Sequence, residues 1–152
     1  ERGERCPDDH WLYLPNSRSG FFRVGFYSNV DESFLPARGG EDHVKLVSIY
    51  VERAFLCGAA PGAEEVSEYA DSVVDELQDQ GFIGNAHVVD STWIDTAYTW
   101  SWIDSGWRAA ALRKLAEAGI YQVGRYGRWV FQGIADSVRD GLMVGTAMKS
   151  AA

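Results

Sequence analysis

The chain has 152 residues and a formal net charge of −8, from 14 Lys and Arg against 22 Asp and Glu. That length fits one ordinary domain able to bury a core without disulfide staples, and 46% hydrophobic with 13% aromatic residues excludes a disordered chain. No apolar run approaches the roughly 20 residues needed to span a bilayer, and the acidic balance argues against a general binder of nucleic acid or anionic membrane.

In chain order, residues 1–9 are polar and aperiodic and read as a flexible N-terminal segment. His10–Leu14 and Phe21–Tyr27 read as two strands of an antiparallel hairpin about the turn Asn16–Gly20, with Gly25 a bulge or close-approach point. Residues 28–43 are loop-like. Val44–Ala54 alternates, with Val47, Ile49 and Val51 on one face, and its apolar content on both faces predicts a third strand in a central position.

Ala63–Gln80 is the clearest helix. Val66, Tyr69, Ala70, Val73, Val74 and Leu77 make its apolar face and Glu64, Glu65, Glu68, Asp71, Asp75 and Asp79 a solvated acidic one, with Gly81 as the C-terminal cap. Ala86–Ile94 reads as a fourth strand and Thr96–Trp102 as an extended aromatic run. A helix follows over Trp107–Ala118, capped by Ser105, then a short strand over Ile120–Val123 and a Gly/Arg/aromatic loop. A last helix starts at Gln132, with Ile134, Ala135, Val138, Leu142 and Gly145 turned inward. The expected fold is α+β, residues 10–152 forming a single domain of a mainly antiparallel sheet with about three helices packed to one side.

Charge is unevenly spread. Residues 54–107 carry ten acids and no Lys or Arg, whereas residues 108–152 carry seven basic residues and three acids. An anionic ligand or cofactor is therefore expected in the last third. Two cysteines make no disulfide framework; Cys57 reads as a buried small hydrophobe, and neither it nor Cys6 has metal-ligand spacing to His10, His43 or His87. His10 and His87 read as structural histidines in strands, and Asp90, Asp95 and Asp104 as turn and cap residues. No signal peptide is visible, so a cytoplasmic setting is expected. The chain starts with Glu1 rather than Met, which suggests processing or a piece of something longer.

Motifs for nucleotide binding, serine hydrolysis and zinc proteolysis are missing. The informative stretch is residues 120–141, with two glycines, two arginines and two aromatics ahead of a helix. Gly124 allows close backbone approach, Arg125 and Arg128 suit phosphate or carboxylate, and the helix start attracts negative charge. A tight turn with Arg stacked on Trp is the purely structural alternative.

The stretch VGRYGRWVFQGIADSVRDG resembles the C-terminal flavin-contacting motif of FAD-dependent oxidoreductases, in the UDP-galactopyranose mutase-like and protoporphyrinogen oxidase-like (amine-oxidase-type) class. The segments HWLYLP, FFRVGFYSN, VSIYVE and TAY resemble that family's substrate domain, so the likeness spans about residues 10–148. It implies that Gly124, Arg125, Ala135 and Asp136 contact FAD and that Tyr98, Trp100 and Trp102 line the substrate side. Thr99 stands where the family has Pro, and Ile134-Ala135-Asp136 where it has Met-Asp. The Gly-rich Rossmann turn that binds ADP is missing, so the resemblance implies a portion that is inactive alone and needs a partner Rossmann domain or a homodimer. The alternative expectation is a stand-alone, non-enzymatic module binding a small apolar or sugar ligand among Trp93, Tyr98, Trp100, Trp102 and Trp107.

Overall fold

The computed structural model describes residues 1–36, 45–56, 58 and 60–151, so Cys57, His43 and Val44, with the expectations attached to them, lie outside the described residues. The fold is α+β, with one three-stranded antiparallel sheet and three helices longer than ten residues. The chain divides into two compact units, Glu1–Trp93 and Ile94–Ala152, where a single domain is expected from the sequence.

In the first unit, β1 (Trp11–Tyr13) pairs with β2 (Arg23–Phe26) and β2 with β3 (Ile49–Glu52). The hairpin forms as expected, but β2 is the central strand and β3 lies at the edge. The two-sided apolar content of β3 has another cause. Val47, Ile49 and Val51 pack on the core, while Tyr50 on the other face stacks on Tyr27 of a one-turn helix, α1 (Tyr27–Val30). A 3₁₀ turn at Glu32–Phe34 follows and brings Phe34 onto the same Tyr27 ring.

The core is Phe21, Val24 and Phe26 from the hairpin against Val73 and Leu77 of α2 (Ala63–Asp79). Val24 and Phe26 share a strand face by the two-residue period, and Tyr69, Val73 and Leu77 share a helix face by the 3.6-residue period. Gly81 ends α2 in the left-handed region, at φ +74°, as glycine does without a Cβ penalty, and the Phe82 N–H closes back on the Leu77 carbonyl at 2.9 Å. Gly25 sits opposite Tyr50, whose ring crosses the space a Cβ would need. On that face Arg23 grips Glu52 across the strands with both carboxylate oxygens engaged, 2.5 and 2.6 Å away.

One polar contact joins the helix to the hairpin turn. Glu76 is 4% exposed, yet its carboxylate accepts from the Ser19 N–H (2.7 Å), the Ser17 hydroxyl (3.0 Å), the Arg18 N–H (3.2 Å) and the Gln80 amide (3.2 Å). Burial alone would raise its pKa, but the hydrogen bonds from Ser19, Ser17 and Arg18 outweigh it and hold the carboxyl below its ordinary value.

The N-terminal segment is tied down rather than loose. Arg2 bridges to Ile83, the Gly3 N–H donates to the Phe82 carbonyl, and the Arg2 guanidinium donates to Asn29, to the Cys6 and Pro7 carbonyls and to Asp8. Residues 86–94 do not form the fourth strand; they run without regular structure and take no place in the three-stranded sheet of the described residues. His10 lies just outside β1 and is exposed, and His87 is exposed beside Glu1 rather than held in a strand.

The second unit holds α3 (Trp107–Glu117), α4 (Gly124–Gly127) and α5 (Ile134–Ala151). Ser105 is not the cap of α3; Gly106 takes that place, with no side-chain hydrogen bond. The short strand expected at 120–123 is absent, and the Gly/Arg loop begins with a helical turn instead. The inward face expected of α5 is turned outward: Ile134 is 86%, Val138 57% and Leu142 67% exposed. Those residues have the right spacing for one face, but no apolar element of the described chain covers them. The packed face is the polar one carrying Asp136, Ser137 and Asp140.

Two outcomes are expected. Glu76→Ala strands two turn N–H groups and lowers stability by about 3 kcal/mol, read by urea denaturation with far-ultraviolet circular dichroism. Because the folded pKa is depressed, the wild-type contribution is complete above the ordinary value of 4.5 and fades as pH falls through the folded one; Glu76→Gln flattens that acid limb. Gly25→Ala drives a methyl into the Tyr50 ring and costs roughly 1–3 kcal/mol, which Tyr50→Ala in the same chain largely restores.

Candidate functional site

The candidate site lies wholly in the second unit, where the aromatic run near 98 meets the Gly/Arg turn. Thr99 is buried and donates to the Val130 carbonyl at 3.0 Å, the Tyr126 hydroxyl donates to the Ala97 carbonyl at 2.9 Å, and the Trp129 indole donates to the Trp100 carbonyl at 2.7 Å. Three hydrogen bonds thus lace residues 97–100 to residues 126–130.

Trp129 carries the strain of this join. The Val130 N–H bonds to the Arg125 carbonyl and the Trp129 N–H to the Tyr126 carbonyl, the closing pattern of a helix whose next residue is normally glycine. Here that residue is Trp129, at φ +52°. A non-glycine residue in the left-handed region costs of order 1–3 kcal/mol and persists where the surroundings over-determine it. The surroundings are the 2.7 Å indole bond and the Trp107 ring packed edge-on at 6.0 Å.

Arg125 is the central side chain. Its guanidinium lies 5.5 Å from the Tyr98 ring centre and 5.0 Å from that of Phe131, within cation–π reach of both. Its Nε and Nη2 are shielded from solvent and have no hydrogen-bond partner among the described residues. Such orphaned donors cost roughly 1–3 kcal/mol or more when charged. Other parts of Arg125 line, with Gln132, Gly133, Ile134, Ser137 and Val138, an open concavity of about 450 Å³ at the first turn of α5.

Asp140 holds the surrounding backbone. It accepts from the Arg128 guanidinium (3.1 Å to each oxygen), the Gln132 amide (3.3 Å) and the Gly124 N–H (3.3 Å). The bond from Arg128 is the chief reason its carboxyl sits below the ordinary Asp value, with smaller contributions from Gln132 and Gly124. Arg128, expected as an anion ligand, is therefore already engaged.

The residues singled out in the sequence separate into two groups. Tyr98 and Arg125 come together, and Gly124 lies beside them at φ +74°. A Cβ at Gly124 would meet nothing within 4 Å, so this glycine serves the backbone angle rather than a crowded approach. Ala135 is exposed. Asp136 turns back on its own helix, accepting from the Gly133 N–H at 3.2 Å and pairing with Arg139 at 3.5 Å. Trp100 contributes a carbonyl, and its ring packs edge-on with Trp102 at 4.4 Å; both rings are exposed. In the second unit Trp100 pairs with Trp102 and Trp107 with Trp129, and in the first Trp93 pairs with Phe55. Asp104 is a turn residue at φ +61°.

The residues present fit the ring end of a flavin but not its phosphates. Tyr98, Phe131 and the orphaned Arg125 donors suit a flat, polarised ring, whereas the Asp136 carboxylate already occupies the helix start and repels a phosphate. Thr99, Phe131, Gln132 and Asp140 are contributors that sequence reasoning missed. For Asp140 a signal existed, since it is one of only three acids among the seven basic residues of 108–152. Among the described residues no three His, Cys, Asp or Glu side chains gather to hold a metal, and no helix is long and apolar enough to cross a membrane. No family model, no characterised protein and no solved structure matches the chain.

If Asp140 holds this turn together, the Gly124 amide resonance should titrate with a midpoint below the ordinary Asp range, and Arg128→Gln should raise that midpoint. A two-dimensional NMR pH series reads both.

Proposed function

We propose that this chain is the substrate-domain-like, flavin-contacting portion of an FAD-dependent oxidoreductase, inactive alone and completed by a dinucleotide-binding half. What carries the reading is Arg125. Its guanidinium lies within cation–π reach of the Tyr98 and Phe131 rings and has two donors without a partner among the described residues, and Arg125 is a residue that the resemblance sets beside the cofactor. The lacing of residues 97–100 to 126–130 supports it, because it brings the substrate-side segment to the cofactor-side one.

A second support is the exposed apolar stripe Ile134, Val138 and Leu142 on α5. Such a stripe is unfavourable in water, and a docked partner would bury it. The proposed cover is a Rossmann domain, with a second copy of this chain as the substitute. A cytoplasmic setting belongs to the same proposal.

A bound flavin supplies the redox chemistry. The part of this chain is to orient the ring by the flat faces of Tyr98 and Phe131, to offer the Nε and Nη2 donors of Arg125 to a polarised ring edge, and to hold Arg125 by the Asp140-braced turn. The aromatic-pocket reading has no comparable support, since its tryptophans pair off separately.

The test is flavin fluorescence with the isolated chain. Lumiflavin, FMN and FAD should bind equally and weakly, near millimolar, and Arg125→Gln should abolish the quenching. FAD binding at roughly micromolar or tighter would overturn the need for a second half. No quenching by lumiflavin up to its solubility would overturn the flavin contact itself.

A further inference from the structure

The two orphaned donors of Arg125 are Nε and Nη2, and these form one edge of the guanidinium. Two parallel N–H groups on one edge match the two oxygens of a carboxylate or phosphate. Arg125 makes no ion pair among the described residues, unlike Arg128 and Arg139, which are held by Asp140 and Asp136. The edge thus has the geometry for an anion and no internal anion to take.

The surroundings select among anions. The concavity that Arg125 helps to line has Ile134 and Val138 on its wall, and both are largely exposed. The Ser137 hydroxyl and the Gln132 amide supply its polar part, and they bond to each other at 3.1 Å. The Asp136 carboxylate stands at the Gly133 N–H and the Asp140 carboxylate at Gln132. One uncommitted cation facing two nearby carboxylates favours a single negative charge over a phosphate dianion. The start of α5 adds little, because Asp136 already caps it. From Val138 the apolar stripe continues one turn on to Leu142, 67% exposed, along the direction an aliphatic tail would follow.

We propose that the concavity at the first turn of α5 binds the carboxylate of a medium-chain aliphatic acid. Arg125 grips the two oxygens side-on, and Ile134, Val138 and Leu142 carry the tail. Nε and Nη2 are closed to solvent in the unliganded chain, so the proposal includes a side-chain shift of Arg125 that turns this edge to the concavity. The acid would take the Arg125 edge and the α5 stripe that the flavin reading gives to the cofactor and its covering domain, so the two readings exclude one another at this site.

The test uses the full chain with sodium butyrate, hexanoate and octanoate as probes, followed by calorimetry and by the Nε–H resonance of Arg125. Affinity should rise roughly two- to fourfold per added methylene, and octanoate should shift the Nε–H signal of the wild-type chain, a readout that needs no variant. Arg125→Lys, which keeps the charge and loses the two-donor edge, should weaken octanoate about tenfold. Val138→Ser should flatten the chain-length dependence. An unmoved Nε–H signal, equal affinity for butyrate and octanoate, or inorganic phosphate binding as tightly as octanoate would each overturn the proposal. The flavin titration is separate: loss of lumiflavin quenching with octanoate binding intact removes the flavin reading alone.

Discussion

Glu76 takes four hydrogen bonds in a place where almost no water reaches it, and the first unit is organised about that fact. A carboxylate withdrawn from water is tolerated only when its oxygens are otherwise satisfied. Three of the four donors come from the turn between β1 and β2 and the fourth from Gln80 at the end of α2, so the docked helix and the turn hold one another in place. Docking α2 in turn places Val73 and Leu77 on Phe21, Val24 and Phe26. The polar clamp and the apolar core are therefore cooperative. The hairpin alone, with two short strands, would be marginal in water.

The second unit works by a different principle. Its apolar side chains are mostly outside, and its order comes from hydrogen bonds that lace an irregular segment to a tight turn. Polar lacing without a matching apolar core is a weak source of stability, because each such bond nets only about 1 kcal/mol after the competing bonds to water.

The sequence showed the periodic parts and hid the tertiary ones. The alternation of Val47, Ile49 and Val51 and the 3.6-residue spacing of Tyr69, Val73 and Leu77 point to the faces that do form the core. The hairpin and the glycine stop at Gly81 follow from local turn chemistry. What local pattern does not carry is which strand lies in the middle, since Tyr50 makes β3 apolar outside the core by stacking on Tyr27. Residues 86–94 have strand-like composition, but a strand needs an edge to pair with, and they take no place in the sheet of the described residues. In the site, local pattern singles out Arg125 and Tyr98 separately but carries nothing of their contact, and a helical acid such as Asp140 reads as solvated although it braces the turn.

The tryptophans are distributed unequally between the two units. Trp100, Trp102, Trp107 and Trp129 all belong to residues 94–152, while the core of the first unit is built of Phe, Val and Leu. Trp11 and Trp93 belong to the first unit, so intrinsic fluorescence is weighted four to two toward the second. Far-ultraviolet dichroism weighs the sheet and α2 as well as α3 and α5. The two signals need not change together on heating or in denaturant, and a midpoint taken from tryptophan emission weighs the second unit more heavily than the first.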